Sequence, residues 1–382
     1  MSMPDDLSVL RPTLLAEAVA KLEELMTQSG RAFLVGAGCS KCAGLPLTTE
    51  LTEEVLQSPL IDTSSKQILQ ALQSQFAGAT DANIEDYLSD LIDLLSIAER
   101  RSLRNATKND IELNGQAYTA DQLRGTTEQI KIAIATILDK LIDIKIHWQF
   151  IKAVHRPIRP GTSISNKPVD YLILNYDTLI EDALALEKIQ FADGLDGGVT
   201  GWWNPTTFYQ DGLDARVLKL HGSINWCEFP DDALPRRVSK SLCIPAQSNR
   251  NVLIWPASTK YRETQRDPFA QLIGIARESL RPKDRTQKVL VVCGYSFGDL
   301  HINLELDKAL RESSGHLTMI AFTSETQLPR QLKSWHEDRS VSEQVLIFAK
   351  RGFYHNDKVV HTDYDLPWWK FENITRILGG ER

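Results

Sequence analysis

Four short segments of this 382-residue chain set polar, chemically capable side chains directly after apolar runs. Gly36-Ala37-Gly38-Cys39-Ser40 follows the run 32–35, and Asn175-Tyr176-Asp177 follows 169–174. His221-Gly222-Ser223 follows 217–220, and Gly294-Tyr295-Ser296-Phe297-Gly298-Asp299 follows 289–293. A glycine turn between a buried strand and a helix lets backbone N–H groups approach a phosphate, backed by the partial positive charge of the helix N-terminus. Gly36-Ala37-Gly38 has that form, although Lys41 stands where G-x-G-x-x-G has its third glycine, and a tight structural turn would look the same. His221 is a natural base, because a pKa near 6.5 leaves a neutral imidazole at neutral pH; before a glycine it could also be a structural histidine. Asn175 and Asp177 could cap a helix beginning near Thr178, and Asp299 one running through Ile302.

Two other chemistries are not expected. No G-x-x-x-x-G-K-[ST] occurs, so the chain has no Walker-type ATPase site of its own. Cys39 and Cys42 form a lone C-x-x-C. Cys227, Cys243 and Cys293 supply no second pair of the kind a structural zinc needs, so no metal is expected. Cys39 would be a nucleophile beside a helix N-terminus, but the turn offers no partner base, and it reads as loop packing. Trp202, Trp203, Trp226 and Trp255 could stack on bases, yet packing is the commoner fate of such residues. Pro367-Trp368-Trp369 either tethers the tail or meets a partner.

The elements that must hold these residues follow from apolar spacing. Residues 13–29 read as a helix closed by Gly30, 32–35 as a strand, and 51–56 as a helix introduced by Thr48 or Thr49. From 61 to 160 the pattern is helical, over 84–98 and 127–154, with a polar loop or hairpin at 100–125. Beyond Pro168, strand-like runs at 169–174, 217–220, 252–255, 289–293 and 317–322 alternate with helical ones at 178–186, 269–280 and 302–310. Uniformly apolar strands alternating with helices imply a parallel sheet covered on both faces. The expected architecture is a doubly wound, mostly parallel, Rossmann-like α/β core (1–60 and 161–382) with an α-helical insertion (61–160).

Composition narrows the role. With 43 basic and 50 acidic residues the net charge is −7, against the basic surplus of a protein whose main task is holding nucleic-acid phosphates. The 42% apolar and 24% charged content fits a folded, water-soluble chain. The N-terminal stretch lacks a basic region followed by an apolar one, and no apolar run approaches the roughly 20 residues that span a bilayer. Five irregularly spaced cysteines suit a reducing compartment, so the expected location is cytoplasmic.

In this order the segments resemble the sirtuin superfamily. Gly36-Ala37-Gly38-Cys39-Ser40 with Gly44-Leu45-Pro46 is similar to its GAGxS…GxP loop, Asn175-Tyr176-Asp177 to its N-x-D motif, and His221-Gly222 to its histidine–glycine motif. Gly294-Tyr295-Ser296 resembles the G-x-S segment that holds the adenosine-side ribose and phosphates. The resemblance implies NAD+ as substrate, bound by Gly36, Ala37, Gly38, Ser40, Pro46, Asn175, Gly294, Ser296 and Asp299, with Asn175, Asp177 and His221 catalytic. Asn175 would orient the nicotinamide ribose or the attacking water, Asp177 would position the ribose or the nicotinamide end, and His221 would be the base. Leu47-Thr48 replaces the Asp-Phe-Arg continuation of the deacylases, and their paired zinc cysteines are absent. Those departures, the helical insertion and the run from Gly294 to Asn303 look like bacterial sirtuin-like effectors of antiphage defence, which hydrolyse NAD+. One such group works with a HerA-type hexameric ATPase. The expectation is a regulated NAD+ glycohydrolase, homo-oligomeric, partnered by that ATPase, and meeting nucleic acid only through the complex. The alternatives are an NAD-dependent deacylase or ADP-ribosyltransferase, and a catalytically silent NAD+ or ADP-ribose sensor that scaffolds the ATPase.

Overall fold

The computed structural model describes residues 5–28, 30–76, 82–104, 109–156, 167–198, 200–229, 232–238, 251–254, 267–282 and 286–381; Ser29, Cys243 and Trp255 lie outside these residues. Helix α1 (Thr13–Leu25) buries Leu15, Ala18, Val19 and Leu22, the stripe an amphipathic helix turns toward a core. It stops short of the expected end, and Gly30 opens strand β1 (Gly30–Val35) instead of closing the helix.

After the glycine turn come α2 (Thr48–Leu56), α3 (Thr63–Gln75), α4 (Ile84–Leu103) and α5 (Ala120–Leu138), packed around Val55, Ile68, Leu72, Leu88, Leu91 and Ile130. Asn83 with Asp86 and Thr119 with Gln122 form reciprocal capping boxes that start α4 and α5. The polar stretch between them holds a hairpin, β2 (Ile111–Leu113) and β3 (Gln116–Tyr118), turned at Asn114-Gly115. Both turn residues have positive φ, 52° and 78°, which matches the right-handed twist of the paired strands. The helix expected over 127–154 is two helices, because α5 ends at Leu138 and α6 (Lys145–His155) starts afresh. Phe150, Ile151 and Val154 of α6 pack against the large sheet.

The chain continues through β4 (Val169–Ile173), α7 (Leu179–Leu186), β5 (Phe191–Ala192), β6 (Leu195–Asp196), β7 (Gly201–Trp203), β8 (Ala215–Lys219), β9 (Gly222–Phe229), β10 (Asp232–Arg237) and β11 (Asn251–Ile254). Then follow α8 (Phe269–Leu280), β12 (Lys288–Cys293), α9 (Leu300–Glu312), β13 (Leu317–Thr323), α10 (Arg330–Glu337), β14 (Val345–Ala349), β15 (Gly352–His355), β16 (Lys358–His361) and α11 (Phe371–Leu378).

The large sheet has the order β16-β15-β14-β13-β12-β1-β4-β8-β5. From β14 to β5 every neighbouring pair is parallel, and β15 and β16 add an antiparallel edge. Its strands alternate between two cores. Phe33, Val35, Tyr171, Val291 and Phe348 face α1, α6, α7 and α11, whereas Ala32, Leu34, Leu172, Val292 and Met319 face α8, α9 and α10. This is the Rossmann-like, doubly wound α/β fold the alternation implied. From β1 the chain winds outward through β4 and β8, then returns to β12 on the other flank of β1 and winds out through β13 and β14. A crevice for ligands opens at such a reversal, outside the carboxyl ends of the strands.

A second, antiparallel sheet, β11-β9-β10-β7-β6, has no counterpart in the sequence reading. The run expected at 252–255 belongs to it: β11 pairs antiparallel with β9 and adds nothing to the parallel core. Trp203 of β7 and Trp226 of β9 are buried with ring centroids 6.0 Å apart, and Trp202 is exposed. Trp368 is fully buried and donates its indole N–H to Ala349 O at 2.8 Å, so the tail is tethered.

Candidate functional site

The four polar segments lie at the carboxyl ends of four adjacent strands, β12, β1, β4 and β8. The first contact is between glycines. Gly36 N donates to Cys293 O and Gly38 N to Gly294 O, both at 2.9 Å. A Cβ on Gly36 would lie 2.5 Å from Gly294 O, and one on Gly38 would lie 2.8 Å from Gly294 Cα. Gly294 has φ +62°, and a Cβ there would be 2.4 Å from Cys39 N. The glycines therefore seat the turn after β1 directly on the turn after β12. Four amides of the first turn, those of Gly36, Gly38, Cys39 and Ser40, are spent on backbone carbonyls.

Ser40 carries the next link. Its hydroxyl donates to Asp177 Oδ2 at 2.6 Å and accepts from Asn175 Nδ2 at 2.7 Å. Asp177 also accepts the Leu179 N–H at 3.1 Å, so it caps α7 and orients Ser40 at once. Tyr176 O accepts from Ile224 N at 2.9 Å and from Ser223 Oγ at 3.3 Å, while its hydroxyl donates to Glu85 Oε1 of α4 at 2.8 Å. The turn after β4 is thus tied to β9 on one side and to the helical module on the other.

His221 is buried, with Nε2 3.4 Å from Asp299 Oδ2. Asp299 uses its other oxygen to cap α9, accepting from His301 N at 2.9 Å and Ile302 N at 3.3 Å. Of the expected site residues, Ser40, Asn175 and Asp177 form one hydrogen-bonded set, Gly36 and Gly38 meet Gly294, and His221 meets Asp299. Ala37 is part-exposed at the turn, Pro46 is buried ahead of α2 and Ser296 is exposed; none of the three enters these sets.

Burial, with Cys293 beside it, pushes the Cys39 thiol far above its ordinary range, and burial takes Cys42 up to about 12. Both are inert thiols, consistent with loop packing. Among the described residues no group of three or more His, Cys, Asp or Glu side chains could hold a metal ion. His147 on α6 lies under the turn against the Cys39 backbone, where burial lowers its pKa to about 4 despite the opposing charge of Asp177.

Three side chains near the site were given no role from sequence: Lys219, Glu181 and His147. Lys219 had a visible signal, since a lysine inside the apolar run Val217-Leu218-Lys219-Leu220 demands a buried partner.

Buried amide, hydroxyl and imidazole groups converge where the strand order reverses, the position at which doubly wound sheets take ligands, whereas the space beside Gly36 and Gly38 is filled by the facing turn. A protein-family model described as a SIR2-like domain matches residues 171–342, the span from β4 to just before β14 that carries three of the four segments. No curated protein matches the chain. The match supports a sirtuin-like family member and NAD-related activity in general, since SIR2-like domains bind NAD+. Among the described residues no helix is long and apolar enough to cross a membrane.

Proposed function

We propose that this chain is an NAD+ glycohydrolase, converting NAD+ and water to nicotinamide and ADP-ribose. The observation that carries the reading is the His221–Asp299 pair beside the Ser40–Asn175–Asp177 set, both at the carboxyl ends of the central strands. Cleavage of the N-glycosidic bond builds positive charge on the ribose, while a water supplies the new C–O bond and loses a proton. A neutral His221 whose Nε2–H faces Asp299, 3.4 Å away, would carry its basic lone pair on Nδ1, and the carboxylate would stabilise the imidazolium once the proton is taken. Asn175 keeps its carbonyl oxygen for the sugar or the water, since Ser40 engages its amide nitrogen. Asp177 acts one step back, through Ser40. By resemblance, Gly36, Ala37, Gly38, Ser40, Pro46, Asn175, Gly294, Ser296 and Asp299 hold the dinucleotide.

The wider role belongs to the same proposal. A chain that destroys NAD+ must be restrained in its host, and the resemblance to sirtuin-like effectors supports a cytoplasmic antiphage protein that forms homo-oligomers and is controlled by a HerA-type ATPase. The test incubates the purified chain with NAD+, alone and with that ATPase, and quantifies both products by chromatography. Equal amounts of nicotinamide and ADP-ribose are expected. Asn175→Ala and His221→Ala should each lower the rate by about 10²–10⁴-fold, the range for a lost general base or orienting group. Parental rates in either variant overturn the assignment. Nicotinamide release only in the presence of an acylated peptide would favour the deacylase, and tight ADP-ribose binding without turnover would favour the sensor.

A further inference from the structure

Lys219, the last residue of β8, has no exposed surface. Its Nζ donates to the main-chain oxygen of Asp177 and lies 3.5 Å from Glu181 Oε1 on the first turn of α7. Glu181 faces Lys219, Asp193 and Asp177, and its second carboxylate oxygen is buried with no partner among the described residues. Burial outweighs the attraction of Lys219 and raises the Glu181 pKa to about 7.

A pair of this kind is a poor stability device. The cost of removing two charges from water often equals or exceeds their attraction, and well-packed apolar substitutes are commonly as stable. What this pair does have is position. The backbone oxygen it grips belongs to the turn that carries Asn175 and Asp177, and two other anchors of that turn, Ser223 and Ile224, stand four and five residues after Lys219 in the chain. The segment 219–224 thus holds consecutive carbonyls, Tyr176 O from β9 and Asp177 O from the lysine.

We propose that Lys219 is a positioning residue for the reaction at this site: its ammonium, paired with Glu181, clasps the Asp177 carbonyl and fixes the turn from which Asn175 and Asp177 project. The kinetic part rests on the hydrolase reading, whereas the clasp itself does not. Lys219 touches no reacting atom. It acts by setting where the Asn175 amide stands relative to His221, two residues from Lys219 on the neighbouring strand end. A displacement of about 1 Å in such a group is enough to cost on the order of 10²-fold in rate.

The test uses the full chain with Lys219→Met/Glu181→Gln, which removes both charges together, and with Glu181→Gln alone, which keeps the ammonium and an acceptor for it. Three readings are taken: amide hydrogen exchange over residues 174–179, affinity for ADP-ribose, and the kcat and KM of nicotinamide release. In the double variant, exchange over 174–179 should quicken about tenfold or more while β1 and β12 stay protected, since local opening is set by local anchors. ADP-ribose affinity and KM should change by less than about threefold and kcat should fall about 10–100-fold. Glu181→Gln alone should keep the turn protected. Wild-type exchange and kcat in the double variant overturn the proposal, and so does a double variant that fails to fold, which would make Lys219 a stability element. If the wild-type chain releases no nicotinamide with or without a partner, the hydrolase reading falls and the exchange result alone decides the clasp.

Discussion

A methyl group at residue 294 has no space to occupy. Gly294 combines φ +62° with a Cβ position 2.4 Å from Cys39 N and 2.8 Å from Cys39 Sγ, so alanine there is strained in its own backbone and collides with the turn after β1. The left-handed conformation alone costs about 1–3 kcal/mol for a non-glycine residue. Gly44, with φ +87° but open space around its Cβ position, carries only the conformational part of that cost. Gly294→Ala is therefore expected to lower the melting temperature well beyond Gly44→Ala and to abolish turnover, as calorimetry and the nicotinamide assay would register. Equal shifts in the two variants would mean that the contact between the turns is unimportant.

Helix α6 places both of its histidines in environments that disfavour charge. Burial lowers His147 and His155 to about 4, from an ordinary 6.5. Between those values the unfolded chain binds more protons than the native one, so stability rises with pH across the window and is lost as pH falls from about 6.5 through 4. His147 alone could account for up to about 3 kcal/mol of this. His147→Gln/His155→Gln should flatten the pH dependence of the melting temperature between pH 6.5 and 4.5, and an unchanged slope would contradict the burial argument. The same helix also marks where the sequence becomes hard to read. Apolar positions at helical spacing run through Leu138, Leu141 and Ile142 without a glycine or proline, so 127–154 looks continuous, yet Leu141 is fully exposed between two helices. Elements with strong local signals were legible: Asn114-Gly115 turns a hairpin within the stretch read as loop or hairpin, and the uniformly apolar runs at 32–35 and 289–293 and the strand-like run at 169–174 are central parallel strands. The strands at 195–196 and 201–203 are too short for any period to register, and they form by pairing with each other and, through β7, with β10. At the site, which residue types stand at which strand ends was readable; who bonds to whom was not. Ser40 meets Asp177 across 137 positions of sequence, and a motif carries no information about such a pairing.

The whole molecule is closed by its C-terminal segment. Trp368, Phe371, Ile374 and Ile377 fill the core against Phe150 and Phe348, and Asp5 accepts from Lys370 and Asn373. Each large apolar side chain lost from a core costs about 2–5 kcal/mol, so the loss of four is comparable to the typical total stability of about 5–15 kcal/mol. A chain ending at Asp365 should show no cooperative unfolding transition by circular dichroism, and a cooperative one would sink this reading. The pairing of β1 with β12 has a further consequence. Val35 aligns with Cys293, 258 residues later (293 − 35), so the glycine turn of β1 has no seat until nearly four-fifths of the chain exists. At translation speeds of up to about 20 residues per second that wait lasts roughly 13 s or more. Only from residue 221 onward does the growing polypeptide have both Asn175 and His221, and it still lacks Gly294 and Asp299 and hence part of the site. A ribosome that stalls or a message cut short before Gly294 releases fragments in which the four strand-end segments never meet, so whatever chemistry they perform is confined to chains synthesised past β12.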